Sequence, residues 1–201
     1  MNRSASLALL AVAAVMATLV VVIVTALGPG EDALRLVLRC SARLSFMLFL
    51  TVFLSSPLHS LLGTPFTTSL VAHRRALGLS FALVHACAGV CILLYHRYFH
   101  DSFMHETYPL QRIGGSVGFA AIAVMTITSF DRVKNALAPA TWKLIHSGCL
   151  YFVSINFLVS FGRRALLLKL PFYMPFFLLL LAAIGVRVLA GVMRARRKQL
   201  S

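Results

Sequence analysis

Six uninterrupted apolar runs, each long enough to cross a bilayer, divide this chain of 201 residues. They cover about 7–27, 43–62, 76–95, 113–130, 142–162 and 170–190. A helix spans hydrocarbon in about 20 apolar residues, at 1.5 Å each. Backbone N–H and C=O groups find no water there, so each run has to satisfy them within itself as a helix. A transmembrane barrel would instead alternate apolar and polar residues over strands of about 10 residues, and none of these runs alternates. The sequence therefore predicts an all-α fold, a single integral-membrane bundle of six transmembrane helices over 1–201. The first run follows a weak Asn2-Arg3 n-region. A cleavable signal has an apolar stretch of only about 7–15 residues, so 7–27 reads as a retained anchor.

Composition agrees with a bilayer as the solvent. The chain is 60% hydrophobic and 12% charged, against about 45–50% and 25% in soluble domains. That excludes a cytosolic enzyme, a disordered tail and a nucleic-acid-binding domain. The net charge of +14 does not point to a polyanion, because its basic residues lie mainly between the runs and in the tail. With six crossings both termini share one side. Eleven Lys and Arg residues fall on that side: Arg3, Arg74, Arg75, Arg132, Lys134, Lys143, Arg187, Arg194, Arg196, Arg197 and Lys198. Eight fall on the other: Arg35, Arg39, Arg43, Arg97, Arg112, Arg163, Arg164 and Lys169. Basic residues set orientation, so both termini are expected to be cytoplasmic, in a bacterial inner membrane. No glycine-rich dinucleotide fingerprint or phosphate loop is present, and no flavin-binding segment.

Ionisable groups inside spans are costly and mark functional candidates. His85 in the third span and His146 near the start of the fifth stand out. A neutral imidazole is the usual axial ligand of a b-type haem. At about 100° per residue, Gly78, His85, Gly89 and His96 fall on one narrow arc bordered by Ala82, which leaves room for a flat macrocycle. In the fifth span Trp142 and Cys149 share the His146 face, with Gly148 nearby. The same residues also suit a plainer role, with histidines hydrogen-bonded across helices that pack closely through small residues.

Other candidates are weaker. His96, His100 and His105 with Asp101 and Glu106 offer ligands for a metal cation, or are solvated loop residues. Arg74, Arg75 and Arg43 lie at helix ends, where arginines snorkel and fix orientation; bidentate pairing also suits them to haem propionates. The cysteines Cys40, Cys87, Cys91 and Cys149 include no redox CxxC and read as small apolar residues. Pro57, Pro171 and Pro175 lie near span ends without matching halves, which speaks against a transporter.

Arg74-Arg75-Ala-Leu-Gly78-Leu followed by His85, and Trp142-Lys-Leu-Ile-His146-Ser-Gly148 with Tyr151 and Arg163-Arg164, resemble the third and fifth spans of the ferric reductase-like transmembrane domain superfamily. The likeness covers about 43–164. It is nearest to small members without a flavin domain, such as the haem-binding membrane subunit of the bacterial methionine sulfoxide reductase system. This resemblance implies a b-type haem protein that relays electrons across the bilayer, with His85 and His146 as ligands of the haem iron. A separate electron donor, a quinol or a reductase protein bringing its own flavin or quinone, and a separate acceptor would complete the oxidoreductase. The family's second ligand on span five is missing, since Val159 and Ser160 stand there. Ala88 stands where its third-span histidine often falls. One haem is therefore expected. His85 lies ten residues from Arg75 and His146 three from Lys143, an offset of about 10 Å along the helices. His73, beside Arg74, is the other partner for His146. The alternative is a haem-free structural or assembly protein that keeps the fold.

Overall fold

The computed structural model describes residues 3–200. Asn2 lies outside them, as do the side chains of Arg3 and Lys198 that enter the charge tally. The chain runs α1 (Arg3–Leu27), α2 (Glu31–Leu62), α3 (Pro65–Ala72), α4 (Arg74–Tyr98), α5 (His100–Glu106), α6 (Pro109–Ile127), α7 (Asp131–Ala136), α8 (Pro139–Gly162) and α9 (Met174–Leu200). No strand occurs among the described residues. Six helices are long and apolar enough to cross a membrane: α1, α2, α4, α6, α8 and α9. The protein is a multi-pass membrane protein, an all-α six-helix bundle. Loops on the side of the termini carry α3 and α7, and α5 lies on the far side.

The spans match the six runs, with two large differences: α9 runs on to Leu200, ten residues past the expected end at 190, and α2 starts early. α2 begins at Glu31, twelve residues before the expected start at 43, and extends over 32 residues. At 1.5 Å per residue that is about 48 Å, well beyond the hydrocarbon thickness. Its first turns are polar and were invisible to hydropathy. Glu31 and Arg35 are one turn apart and form an ion pair at 2.7 Å, so this end holds together by charge. Prolines open α6 and α8 at positions where the helix has no use for the missing N–H. Gly63 ends α2 in the left-handed conformation (φ 60°), and its N–H returns to the His59 carbonyl.

α2 is the hub. Phe46, Phe49 and Phe53 recur at helical spacing and are buried against Phe81 of α4, Ile122 of α6, Leu150, Val153 and Phe161 of α8, and Leu180 of α9. Edge-on and stacked aromatic contacts knit this face, with Phe46 and Phe161 centroids 4.8 Å apart. In hydrocarbon such fitted packing replaces water exclusion as the main source of helix association. α1 lies at the periphery, where Ile23 joins Ala33 and Val37 of α2.

Pro57 lies inside α2. It has no N–H, so the Phe53 carbonyl four residues earlier loses its helical partner. Arg187 of α9 supplies one: its guanidinium donates to Phe53 O at 2.9 Å and to the Tyr151 hydroxyl at 3.0 Å. It also lies over the Phe53 ring at 4.6 Å. An arginine within a span thereby mends a proline defect on the neighbouring helix.

Candidate functional site

A cavity of about 290 Å³ opens near the side of the termini, between α2, α4, α6 and α8. His146 is in its wall with Trp142, Gly78 and Ala82, and Arg74, Arg75 and Lys134 stand at its mouth. Phe49, Phe81, Ile122 and Leu150 make its apolar interior. The cavity is thus apolar within and cationic at its entrance. Among the described residues, only Arg75 of its three cations meets a carboxylate, Asp131 of α7, at 2.7 Å. That donated hydrogen bond holds the Asp131 carboxyl below the usual range. Arg74 donates to Ser56 Oγ at 3.1 Å, and the Lys134 ammonium lies 5.6 Å from the Trp142 ring centre.

His146 is fixed from two directions. Trp142, one turn earlier on α8, stacks on it with centroids 4.2 Å apart. The Trp142 indole N–H donates to Thr128 O at 2.9 Å, tying that ring to the end of α6. Thr128 Oγ1 lies 2.9 Å from His146 Nε2 and 2.7 Å from the Val124 carbonyl. A hydroxyl has one proton, and the carbonyl can only accept it. His146 Nε2–H therefore donates to Thr128, which leaves Nδ1 as the ring nitrogen with a free lone pair.

His85 is placed differently. Its Nδ1 is 2.9 Å from Ser45 Oγ of α2. Phe81, Phe119 and Phe157 surround the ring, with centroids at 5.4, 4.6 and 6.3 Å. Phe81 separates it from the cavity. The arc of small residues expected to hold one macrocycle is split. A Cβ on Gly78 would meet nothing within 4 Å, whereas one on Gly89 would stand 2.9 Å from Phe119 Cε1. Gly78 faces open space and the Gly89 slot is filled by a phenylalanine.

The two histidines are not brought together. His85 packs at the level of Phe157, eleven residues past His146 on α8, about 16 Å along the helix. One iron cannot be ligated by both. His73 does not supply the missing partner: it caps α3, its Nδ1 lies 2.9 Å from Ser69 O, and it is absent from the cavity wall. Arg74 and Arg75 lie at the helix end expected of them, the start of α4, beside the cavity. Arg43 lies on the far side over the Phe172 ring. The His96, His100, His105, Asp101 and Glu106 series does not gather. Among the described residues no three His, Cys, Asp or Glu side chains could share a metal ion. His96 and His100 pack edge to face, and Glu106 pairs with Arg35 at 2.7 Å. All four cysteines are free.

Sequence reasoning missed Thr128, Ser45 and Asn156. Asn156 of α8 donates to Gly114 O at 3.0 Å, and Gly114 and Gly118 of α6 leave the room for its amide. The available signal was a GxxxG on one span and an uncharged polar residue on another, a pairing typical of membrane helices. Comparison with protein-family models, curated proteins and solved structures returns no match.

Proposed function

We propose that this protein is a membrane haem protein that carries one b-type haem in the cavity near the termini and exchanges electrons with separate partners. The observation that carries this reading is the conjunction, in one cavity, of a histidine with a free ring nitrogen, a glycine facing open space and two arginines at the mouth. A haem offers an apolar ring, an iron that accepts an imidazole nitrogen, and two carboxylates, and each meets its complement there. His146 would ligate the iron, and Arg74 and Arg75 would hold the propionates. At about 290 Å³ the cavity lies at the small end of ligand pockets, which run to about 1,000 Å³. Admitting a macrocycle therefore requires flexible wall residues, Met125 and Lys134 foremost, to swing aside. When bound, the group would supply one-electron chemistry.

A bis-histidine site does not fit. His85 lies about 16 Å further along, with Phe157 and Phe119 in the space its partner and ring would need. The proposal is for one haem with one ligand from this chain. Taking the side with more basic residues as cytoplasmic, the cavity opens to the cytoplasm, where a reductase protein or a quinol from the bilayer would deliver electrons.

A second reading has its own support. Both histidines hydrogen-bond to hydroxyls on neighbouring helices, and Phe119 fills the Gly89 slot, as suits a haem-free structural or assembly protein. Pyridine haemochromogen quantitation of the detergent-purified protein decides between the two. About one haem b per chain supports the first reading. A colourless protein from haem-replete cells overturns it in favour of the second.

A further inference from the structure

Between α8 and α9 the chain does not simply turn. Arg163–Leu167 form a π turn in which Leu168 N–H reaches Arg163 O, and Leu170 N–H reaches Arg164 O, both at 3.0 Å. Lys169 closes it in the left-handed region (φ 50°), where a residue with a Cβ is disfavoured. The wide turn leaves Leu166, Leu167, Leu168, Leu170 and Phe172 exposed, Leu167 at 74%. It also places two consecutive arginines at the far-side end of a span, against the usual charge bias.

These arginines lie on aromatic rings. Arg164 is 5.3 Å from the Tyr173 centroid, and Arg43 of α2 is 4.4 Å from that of Phe172. The two rings are neighbours, 5.7 Å apart and nearly perpendicular, so they form one stepped shelf with a guanidinium group over each ring. Arg164 also approaches Ser160 Oγ at 3.5 Å. Among the described residues neither Arg43 nor Arg164 meets a carboxylate within 4.0 Å. Three of the far side's acids, Glu31, Asp32 and Glu106, are gathered around Arg35 instead. Positive charge is concentrated on the shelf and left uncompensated.

A guanidinium over a ring can keep N–H groups turned outward, and that edge matches phosphate in two-point fashion. The exposed leucines beside the shelf require hydrocarbon next to the anion. A free phosphate or an acidic soluble protein has none to offer, whereas a lipid joins the two chemistries in one molecule. We infer that Arg43 and Arg164 bind the phosphate of an anionic lipid in the far-side leaflet, with its acyl chains against the Leu166–Phe172 segment.

The test is the melting temperature of the full chain in neutral detergent, titrated with phosphatidylglycerol, phosphatidylcholine or inorganic phosphate. Phosphatidylglycerol should raise it, and the other two should not. Arg43→Gln with Arg164→Gln should require about tenfold more phosphatidylglycerol for the half-maximal shift. Arg196→Gln with Arg197→Gln, at the other end of the molecule, should not change the requirement. The reading is the lipid-induced shift and not the absolute value, so that a lower melting temperature of the glutamine variants themselves does not enter it. Arg43→Lys with Arg164→Lys keeps the charge and should still weaken the response, since the two-point geometry is lost. An unchanged phosphatidylglycerol requirement in the glutamine variant overturns the site. An equal response to inorganic phosphate overturns the lipid.

Discussion

The repair of the Pro57 defect by Arg187 has a measurable energetic consequence. Arg187→Met removes a charged donor from Phe53 O and from Tyr151, and a cation from the Phe53 ring, while keeping most of the side chain's volume. Hydrogen bonds to charged groups are worth about 1.5–3 kcal/mol in water-soluble proteins, but interhelical ones in bilayers average about 0.6 kcal/mol. A cation over a ring adds about 0.5–2 kcal/mol. The bilayer figure is the relevant one, so the substitution should cost about 2 kcal/mol. In a Pro57→Ala background residue 57 regains its N–H, and Phe53 O regains a partner within its own helix. Arg187→Met should then cost about 1.5 kcal/mol, leaving a coupling of about 0.6 kcal/mol, the share of the Phe53 O bond. The four proteins of the cycle can be compared by reversible unfolding in mixed micelles. Equal costs of Arg187→Met in both backgrounds would refute the idea that the arginine serves the orphaned carbonyl.

Gly78 and Gly89 should respond oppositely to a leucine. Gly78→Leu projects into open space and should fold with stability within about 1 kcal/mol of the parent while losing haem. Gly89→Leu meets Phe119 and should lose about 1–3 kcal/mol, as overpacking does. Melting temperature and haem content of the two variants check this, and loss of folding by Gly78→Leu would show that the space is needed for packing. The Arg75–Asp131 tether should fail only in acid. Its carboxylate has a depressed pKa, so its contribution is complete above the ordinary range near 3.9 and is lost as pH falls through the lowered value. Amide exchange in α7 should therefore accelerate, beyond the intrinsic pH effect, only below about pH 4. Acceleration between pH 5 and 8 would contradict the assignment.

Hydropathy alone was enough to locate all six spans, because the bilayer imposes length and apolarity on each of them separately. It failed at the start of α2, where Glu31, Arg35 and Glu106 sustain a helix by pairing. It also gave no sign of the short helices α3, α5 and α7 in the loops. The helical wheel placed Gly78, His85 and Gly89 on one face correctly, yet the face meets different neighbours along its length, a cavity at Gly78 and Phe119 at Gly89. A single sequence fixes the angle of a side chain around its helix. It does not fix the height at which two spans are matched, which is why His85 and His146, expected about 10 Å apart along the helices, stand about 16 Å apart. Trp142 on the His146 face could be read from spacing. Thr128, which sets the tautomer, could not, since nothing local ties the end of α6 to α8.

His146 alone is the proposed ligand from this chain. The most direct measurement is the dithionite-reduced minus oxidised spectrum of His146→Ala and His85→Ala beside the parent, each purified from haem-replete cells. A b-type spectrum is expected in the parent, an undiminished one in His85→Ala, and none in His146→Ala. A spectrum that survives in His146→Ala, or that vanishes in His85→Ala while the variant remains folded, would contradict the proposal.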